Sequence, residues 1–424
     1  MSITSELPPL ASTSPRDWRY VAEGGANLVL SYIPLEQAYS NKVLRLRKRS
    51  KRTGLSVGGE PDARFSRDVV QPLLGSDHVT NLTRIRTESS WLVEMNRVLD
   101  DTSARPRFRV EQDEIDHDSP YAIVAQDLIG GHNVVAFEIK PKWGFLPRAA
   151  QLSTLSRSIK TTYCRFCMHR YHRNHSIDEH DTGYCPLDLY SRDERRMRTA
   201  VEALVSGWIS SNGSLNNLRV FVNGEQQTPD NNVDLVSKLA QLTPNVSEKE
   251  SLGAMIANLV VPTLLASPVL STLSNLQSSL DPLDIEGLAR LYPQLFLPEA
   301  RPPIQPTTEE WTLFLDENVY YTFTQKFKRF DYLRETILAY LLSNTFKDCS
   351  IIVRFDNSPD NRRQGLEEPV GMVKVIDLDP KPITKLSHWY QLDQEIVKDW
   401  NRAMEETRIR EPQREIRKCF VSRS

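Results

Sequence analysis

Apolar and polar positions alternate through much of the first third of the chain. "WRYVAEGGANLVLSY" (Trp18 to Tyr32) reads as strand, glycine turn, strand, and "KVLRLRK" as a third strand of alternating apolar and basic residues. "PDARFSRDVVQPLLG" and "TESSWLVEMNRVLDD" have helical spacing, whereas "AIVAQDLIGG" and "VVAFEIKP" return to strand character. The expectation for this third is a mixed sheet with one or two helices. After Pro141 the period changes. "SIKTTYCRFCMHRYHRN" and "SRDERRMRTAVEALVSGWIS" are helical, the second with Ser191 as N-cap and Glu194 three residues on. "LRVFVNGE" is a short strand and turn, and a long helical section runs from about Val233 to Asn344. Two strands, "CSIIVRF" and "VKVIDLD", then precede a helix near "SHWYQLDQEIVKDWNRAM". No internal repeat is visible.

Length and charge narrow this picture. A chain of 424 residues is too long for one core and implies two lobes. Residues 1–15, rich in Ser, Thr and Pro, are expected to be disordered, and the tail after Arg408 and "RQGLEEP" to be loops or flexible ends. The N-terminus lacks the basic start and apolar core of a signal peptide. "MIANLVVPTLLASPVLSTL" (Met255 to Leu273) is the most apolar stretch, but Pro262 and Pro268 suggest buried helices broken twice, not a membrane span. Five cysteines without a secretory signal point to a reduced cytosolic or nuclear chain with no disulfide framework. A net charge of −2 argues against a protein that coats nucleic acid, although "NKVLRLRKRSKR" is strongly basic. That run reads as a solvated face, a nuclear-localisation patch, or a strand that lays an arginine under phosphates.

Several short stretches carry candidate chemistry. In "AEGGANLV", Gly24 and Gly25 permit φ > 0 and close approach of backbone N–H groups to a phosphate. In "EIKPK", an extended chain puts Glu138, Lys140 and Lys142 on one face, suited to clamping a polyanion with Glu138 pairing a lysine. In "CRFCMHRYHRNH", His169 and Arg173 are i,i+4 neighbours on a helix. Cys164 and Cys167, with Cys185 and a histidine among His172, His175 and His180, invite a structural zinc. Asn216 and Asn217 precede a strand, and Asp348, Asp377 and Asp379 stand at strand borders. A glycine loop, an amide, strand-end carboxylates and scattered cations together make a phosphoryl-transfer kit.

"EGGANLV", "VLRLRK", "EIKPKWGFLP", "CRFCMH", "YCPLDLYS", "NNLRVFVNG", "KDCSIIV" and "DLDPKP" occur in the order found in inositol-pentakisphosphate 2-kinases. The chain resembles that family from Trp18 to about Tyr390. The resemblance implies an α+β, two-lobe kinase-like fold. Its small mixed-sheet N-lobe would span 16–141, its larger helix-rich C-lobe 142–408, and a flexible tail 409–424. It implies transfer of the ATP γ-phosphate, with Mg²⁺, to the 2-hydroxyl of inositol 1,3,4,5,6-pentakisphosphate, giving inositol hexakisphosphate (phytate). The implied nucleotide residues are Gly24, Gly25, Asn27, Arg45 and Asn217. Lys140, Lys142, His169, Arg173, Asn216, Lys381 and Lys385 would hold the inositol phosphate. Asp348 would be the catalytic acid-base group, and Asp377, with Asn217, would hold Mg²⁺. An N-lobe arginine is also implied, for which Arg105, Arg107 and Arg109 all qualify. The zinc site that plant members carry in the later helical region has no matching Cys/His set here. The implied protein is a nuclear or cytoplasmic monomer that engages neither membrane nor nucleic acid. The competing reading is a nonenzymatic module that binds inositol phosphate or nucleic acid and carries a structural zinc.

Overall fold

The computed structural model describes residues 7–34, 37–57, 63–174, 183–242, 250–296, 304–318, 333–356, 371–410 and 417–420. His175, His180 and "RQGLEEP" lie outside the described residues. Six strands form the first sheet: β1 (Trp18–Glu23), β2 (Asn27–Tyr32), β3 (Lys42–Ser50), β4 (Thr83–Arg86), β5 (Asp113–Ile115) and β6 (Tyr121–Gln126). Their order is β1-β2-β3-β6-β4, with β5 against β3, and every pairing in it is antiparallel. Period 2 puts Leu28 and Leu30 of β2 and Leu44 and Leu46 of β3 on one face. Helix α1 (Ser89–Asp101) covers that face with Trp91, Leu92, Met95 and Leu99.

Lys48 continues the inward register of Leu44 and Leu46, so the basic run is not a solvated face there. The Lys48 side chain is fully buried, with Nζ 2.9 Å from both Glu23 and Asp113. Arg105 binds the same two carboxylates at 2.7 and 2.6 Å. Two cations and two anions are thereby matched behind the β1–β2 turn. Arg105 is thus taken up structurally, while Arg107 and Arg109 lie on the short helix Arg107–Gln112 with no buried residue. Residues 7–15, expected to be disordered, are packed from Leu7 onward. Leu10 is buried, and the indole N–H groups of Trp18 and Trp91 donate to the Thr13 side chain and carbonyl, each at 3.0 Å.

The second sheet holds β7 (Val134–Ile139), β8 (Leu218–Val222), β9 (Glu225–Gln226), β10 (Ser350–Asp356) and β11 (Gly371–Ile376), in the order β11-β10-β7-β8-β9. Strand β7 was expected in the first sheet. All six of its residues are buried, and it is satisfied only as a central strand between β8 and β10. Helices complete this lobe: α2 (Thr154–Lys160), α3 (Arg165–Asn174), α4 (Glu194–Ser210), α5 (Leu252–Ala266), α6 (Val269–Ser279), α7 (Leu333–Lys347) and α8 (Leu386–Arg410). The result is the expected α+β, two-lobe kinase-like fold.

Local details differ from expectation in three places. A turn at 161–163 divides the "SIKTTYCRFC" helix into α2 and α3. The N-cap of α4 is Asp193, which accepts from the Arg196 N–H at 2.9 Å, while Ser191 donates to the Asp188 carbonyl. Helix α5 runs through Pro262 and breaks only at Ser267 and Pro268. Among the described residues no single helix is long and apolar enough to cross a membrane.

Candidate active site

Strand register gathers the polar residues at one sheet edge. Ser350 faces Ile376, Ile351 faces Ile139, and Ile139 faces Leu218. Lys140 leaves β7, Asn217 enters β8, Asp348 precedes β10 and Asp377 follows β11. Four chain passes far apart in sequence therefore end side by side. Backbone pairing holds them there: the Lys140 N–H donates to the Asn217 carbonyl at 2.9 Å. Glu138 braces the edge from inside and does not pair a lysine. It accepts from Ser350 at 2.9 Å and from Arg219 at 3.3 Å.

Two cavities meet at this edge. The first, about 230 Å³, lies between the sheets, with Val21, Val29, Val43 and Ala125 on one side and Phe221, Ile352 and Ile376 on the other. Apolar walls contributed by both sheets suit a planar base. Its polar end carries Gly24, Arg45, Lys140, Asp377 and Asp379. Lys140 stands 3.8 Å from Asp377, and Arg45 reaches from the first lobe to Asp379 at 2.8 Å. The glycine turn is made without left-handed glycines, since neither Gly24 nor Gly25 has positive φ. The Gly24 N–H closes the turn on the Asn27 carbonyl at 2.9 Å. A Cβ on either glycine would meet nothing within 4 Å, so their bareness leaves room above the turn.

The second cavity, about 350 Å³, takes Lys142, His169, Arg173, Asn216, Asn217, Asp348, Lys381 and Lys385. Asn217, expected beside nucleotide and metal, lines this cavity, and its amide donates to the Lys140 carbonyl at 3.4 Å. Lys142 does not share a face with Lys140, because its φ of 65° turns the chain left-handed after Pro141. That turn sends Lys140 into the first cavity and Lys142 into the second. Asp377 has φ 61°, a second left-handed residue at the same edge. Such backbone costs a non-glycine residue roughly 1–2 kcal/mol and concentrates at functional sites.

Asp348 is held between Lys142 at 3.1 Å and Lys381 at 2.9 Å. Partial burial pushes its carboxyl up, but the two ammonium groups pull it further down, to about 2. Burial and the neighbouring Arg165 and Arg173 push His169 down to about 4, so it faces the cavity as neutral imidazole. Beneath lies a buried ionic layer in which Lys160 binds Asp284 at 2.6 Å and Asp393 at 2.9 Å, and Lys347 binds Asp281 at 2.6 Å.

The sequence reading missed Arg165. It lines this cavity, pairs loosely with Asp393 at 3.6 Å, and its buried Nη1 has no hydrogen-bond partner. Its signal was present, since Arg165, His169 and Arg173 recur every four residues along one face of α3. Trp143 and Trp389 also line the cavity and had no local signal. The zinc expectation changes as well. His172 is occupied by Asp399 at 2.7 Å, and the residue that joins Cys164, Cys167 and Cys185 is Cys419, from the tail expected to be flexible.

Two cavities that meet at one strand edge, each with its own carboxylate and cations, suit transfer of a charged group between two anionic partners. With the two-lobe α+β fold this is the architecture of a kinase. The family model described as inositol-pentakisphosphate 2-kinase matches residues 20–395. A Cryptococcus neoformans protein named inositol-pentakisphosphate 2-kinase is 36% identical, over 92% of this chain and 95% of its own. Relatives of the same name from Arabidopsis thaliana (27% identical, 91% and 93%) and Danio rerio (26%, 91% and 93%) match over similar spans. The chain belongs to the inositol-pentakisphosphate 2-kinase family.

Proposed function

We propose that the protein transfers the γ-phosphoryl group of ATP to the 2-hydroxyl of inositol 1,3,4,5,6-pentakisphosphate, giving inositol hexakisphosphate. The observation that carries this reading is the placement of Asp377 and Asp348 at one edge of the β10–β11 pair, in the first and second cavity respectively. A donor in the first cavity and an acceptor in the second would meet across that edge. ATP lies with its base between the sheets and its phosphates toward Gly24, Gly25, Arg45 and Lys140. The acceptor, with five phosphates, engages Lys142, Arg165, His169, Arg173, Asn216, Lys381 and Lys385.

Asp348 orients the acceptor hydroxyl and takes its proton as the new P–O bond forms. Its low pKa in the free protein reflects Lys381 and Lys142, and phosphates that draw those lysines away make it a stronger base. The half-exposed Asp377 carboxylate is a hard oxygen donor beside the phosphate end of the first cavity, which fits Mg²⁺. Bound there, the ion would neutralise charge on the transferring phosphoryl. Lys140 and Arg45 supply further positive charge from the two lobes.

The test is to incubate the protein with ATP, Mg²⁺ and inositol pentakisphosphate and separate the products by charge. One added phosphate, located by NMR at the 2-position, is the expected result. Transfer to a different hydroxyl, or to a less phosphorylated inositol only, would overturn the assignment.

A further inference from the structure

Leu270 and Leu273 of α6, with Leu280 just past its end, are buried at helical spacing, and Gln277 stands among them where another apolar residue would pack. Its side chain is wholly enclosed, at 0% exposure. An amide carried into a core is costly unless its N–H groups and its oxygen find partners. Here they do. Oε1 accepts from the Gly144 N–H at 2.7 Å. Nε2 lies 2.9 Å from the Phe346 carbonyl, 3.1 Å from the Lys142 carbonyl and 3.2 Å from the Tyr190 hydroxyl. The backbone around it is fastened too. Ser274, one turn earlier, donates to the Gly144 carbonyl at 2.8 Å, and the Gln277 carbonyl accepts from Ser343 of α7 at 2.7 Å. Gly144 is required at this approach, because a Cβ there would come within 2.7 Å of the Tyr190 ring. One side chain thus joins two segments. The first carries Lys142 with its left-handed backbone. The second is the end of α7, whose last carbonyls have no partner inside the helix, two residues before Asp348.

We propose that Gln277 is a positioning residue for phosphoryl transfer, whose buried amide fixes the spacing of Lys142 and Asp348 from behind. The link to transfer rests on the function proposed above; the spacing does not. Lys142 and Asp348 meet at 3.1 Å on the cavity side of these bonds, and Gln277 is not among the residues that line either cavity. It touches neither donor nor acceptor and acts through the backbone of the residues that do. An acceptor whose phosphate is held by Lys142 presents its hydroxyl to Asp348 only while the two side chains keep their separation. A displacement of about 1 Å at such a site costs on the order of 10²-fold in rate.

Gln277→Met keeps the volume and removes the amide. With ATP, Mg²⁺ and inositol pentakisphosphate, the full-length variant should show kcat lowered on the order of tenfold or more, with KM for ATP unchanged. Leu273→Ala, one turn away in the same helix, is the comparison: a buried residue whose loss should lower Tm while kcat per folded molecule stays the same. A second measurement needs no activity. The stabilities of Lys142→Ala, Asp348→Asn and the double variant give the coupling between the two side chains. It should be measurable in the wild-type background and largely lost beside Gln277→Met. Gln277→Glu keeps an oxygen for the Gly144 N–H and gives up N–H donors, so it should move both readouts in the same direction, and it replaces the methionine variant should that one not fold. Normal kcat in these variants, or an equal fall in kcat for Leu273→Ala, would overturn the proposal. So would a coupling absent from wild type or unchanged by loss of the amide. A protein that transfers no phosphate would overturn the functional reading alone, since the coupling would still report the spacing.

Discussion

Lys142 and Asp348 stand 206 positions apart in the chain and are joined by a 3.1 Å ion pair in the second cavity. Lys381 holds the other oxygen of the same carboxylate at 2.9 Å. In the free site Asp348 therefore offsets part of the charge of two of the cavity's cations. Under the proposed function, an incoming polyanion competes with Asp348 for the two lysines, and its binding would free the carboxylate for the acceptor hydroxyl.

Asp348→Asn separates these roles. The amide cannot take a proton, so turnover should fall roughly 10²-fold or more. Binding of inositol pentakisphosphate should be unchanged or tighter, because the lysines lose a competing anion. Single-turnover kinetics with calorimetric titration tests both, and a variant that binds more weakly contradicts the competition.

Lys142→Ala should lower kcat/KM for the inositol phosphate on the order of 10- to 100-fold, the worth of about 1.5–3 kcal/mol for a charged hydrogen bond. KM for ATP should hardly move, since Lys142 lines only the second cavity. Added salt should weaken wild-type binding more steeply than binding by the variant, which has one cation fewer to screen.

The pH dependence of stability follows from the Asp348 carboxyl, drawn down to about 2 against a usual value near 3.8. A depressed acid pKa stabilises the folded state above the unfolded value. That contribution is lost as pH falls through the folded value. The stability difference between wild type and Asp348→Asn should therefore be constant above about pH 5 and shrink between about pH 4 and pH 2. Urea unfolding across that window would show it, and a difference flat to pH 2 would contradict the paired carboxylate.

Arg105→Ala would leave Glu23 and Asp113 to Lys48 alone in a buried setting. Breaking such a matched group costs about 3–5 kcal/mol, readable as a lower Tm. Since Glu23 ends the strand before the glycine turn, KM for ATP should rise in the same variant. Arg107→Ala, on an exposed side chain, should leave both unchanged.

How much of this was legible depends on the range over which each feature is decided. Alternation along β2 and β3 is local, and so were the hairpin, its facing helix and the motifs at each strand end. The sheet chosen by β7 is not local, because its partners β8 and β10 lie far downstream. The left-handed turn at Lys142 likewise undid a face assignment that assumed extended chain on both sides of Pro141. Lys48 stood in a run open to a solvated reading, and Arg105 among three candidate substrate arginines, until Glu23 and Asp113 were seen to pair with both. Cys419 stood in a segment whose composition suggested nothing to pack against, and its partners lie in the middle of the chain.

That last arrangement also sets an order of events during synthesis. Arg417 and Asp188 are separated by 229 positions, and Cys419 reaches the same neighbourhood. At about 5–20 residues per second, the ribosome needs roughly ten to fifty seconds to deliver the tail after Asp188 has been made. Through that interval Cys164, Cys167 and Cys185 exist without Cys419 beside them. A nascent chain stalled before residue 417 would thus leave Cys164, Cys167 and Cys185 without the fourth sulfur that packs beside them in the folded protein.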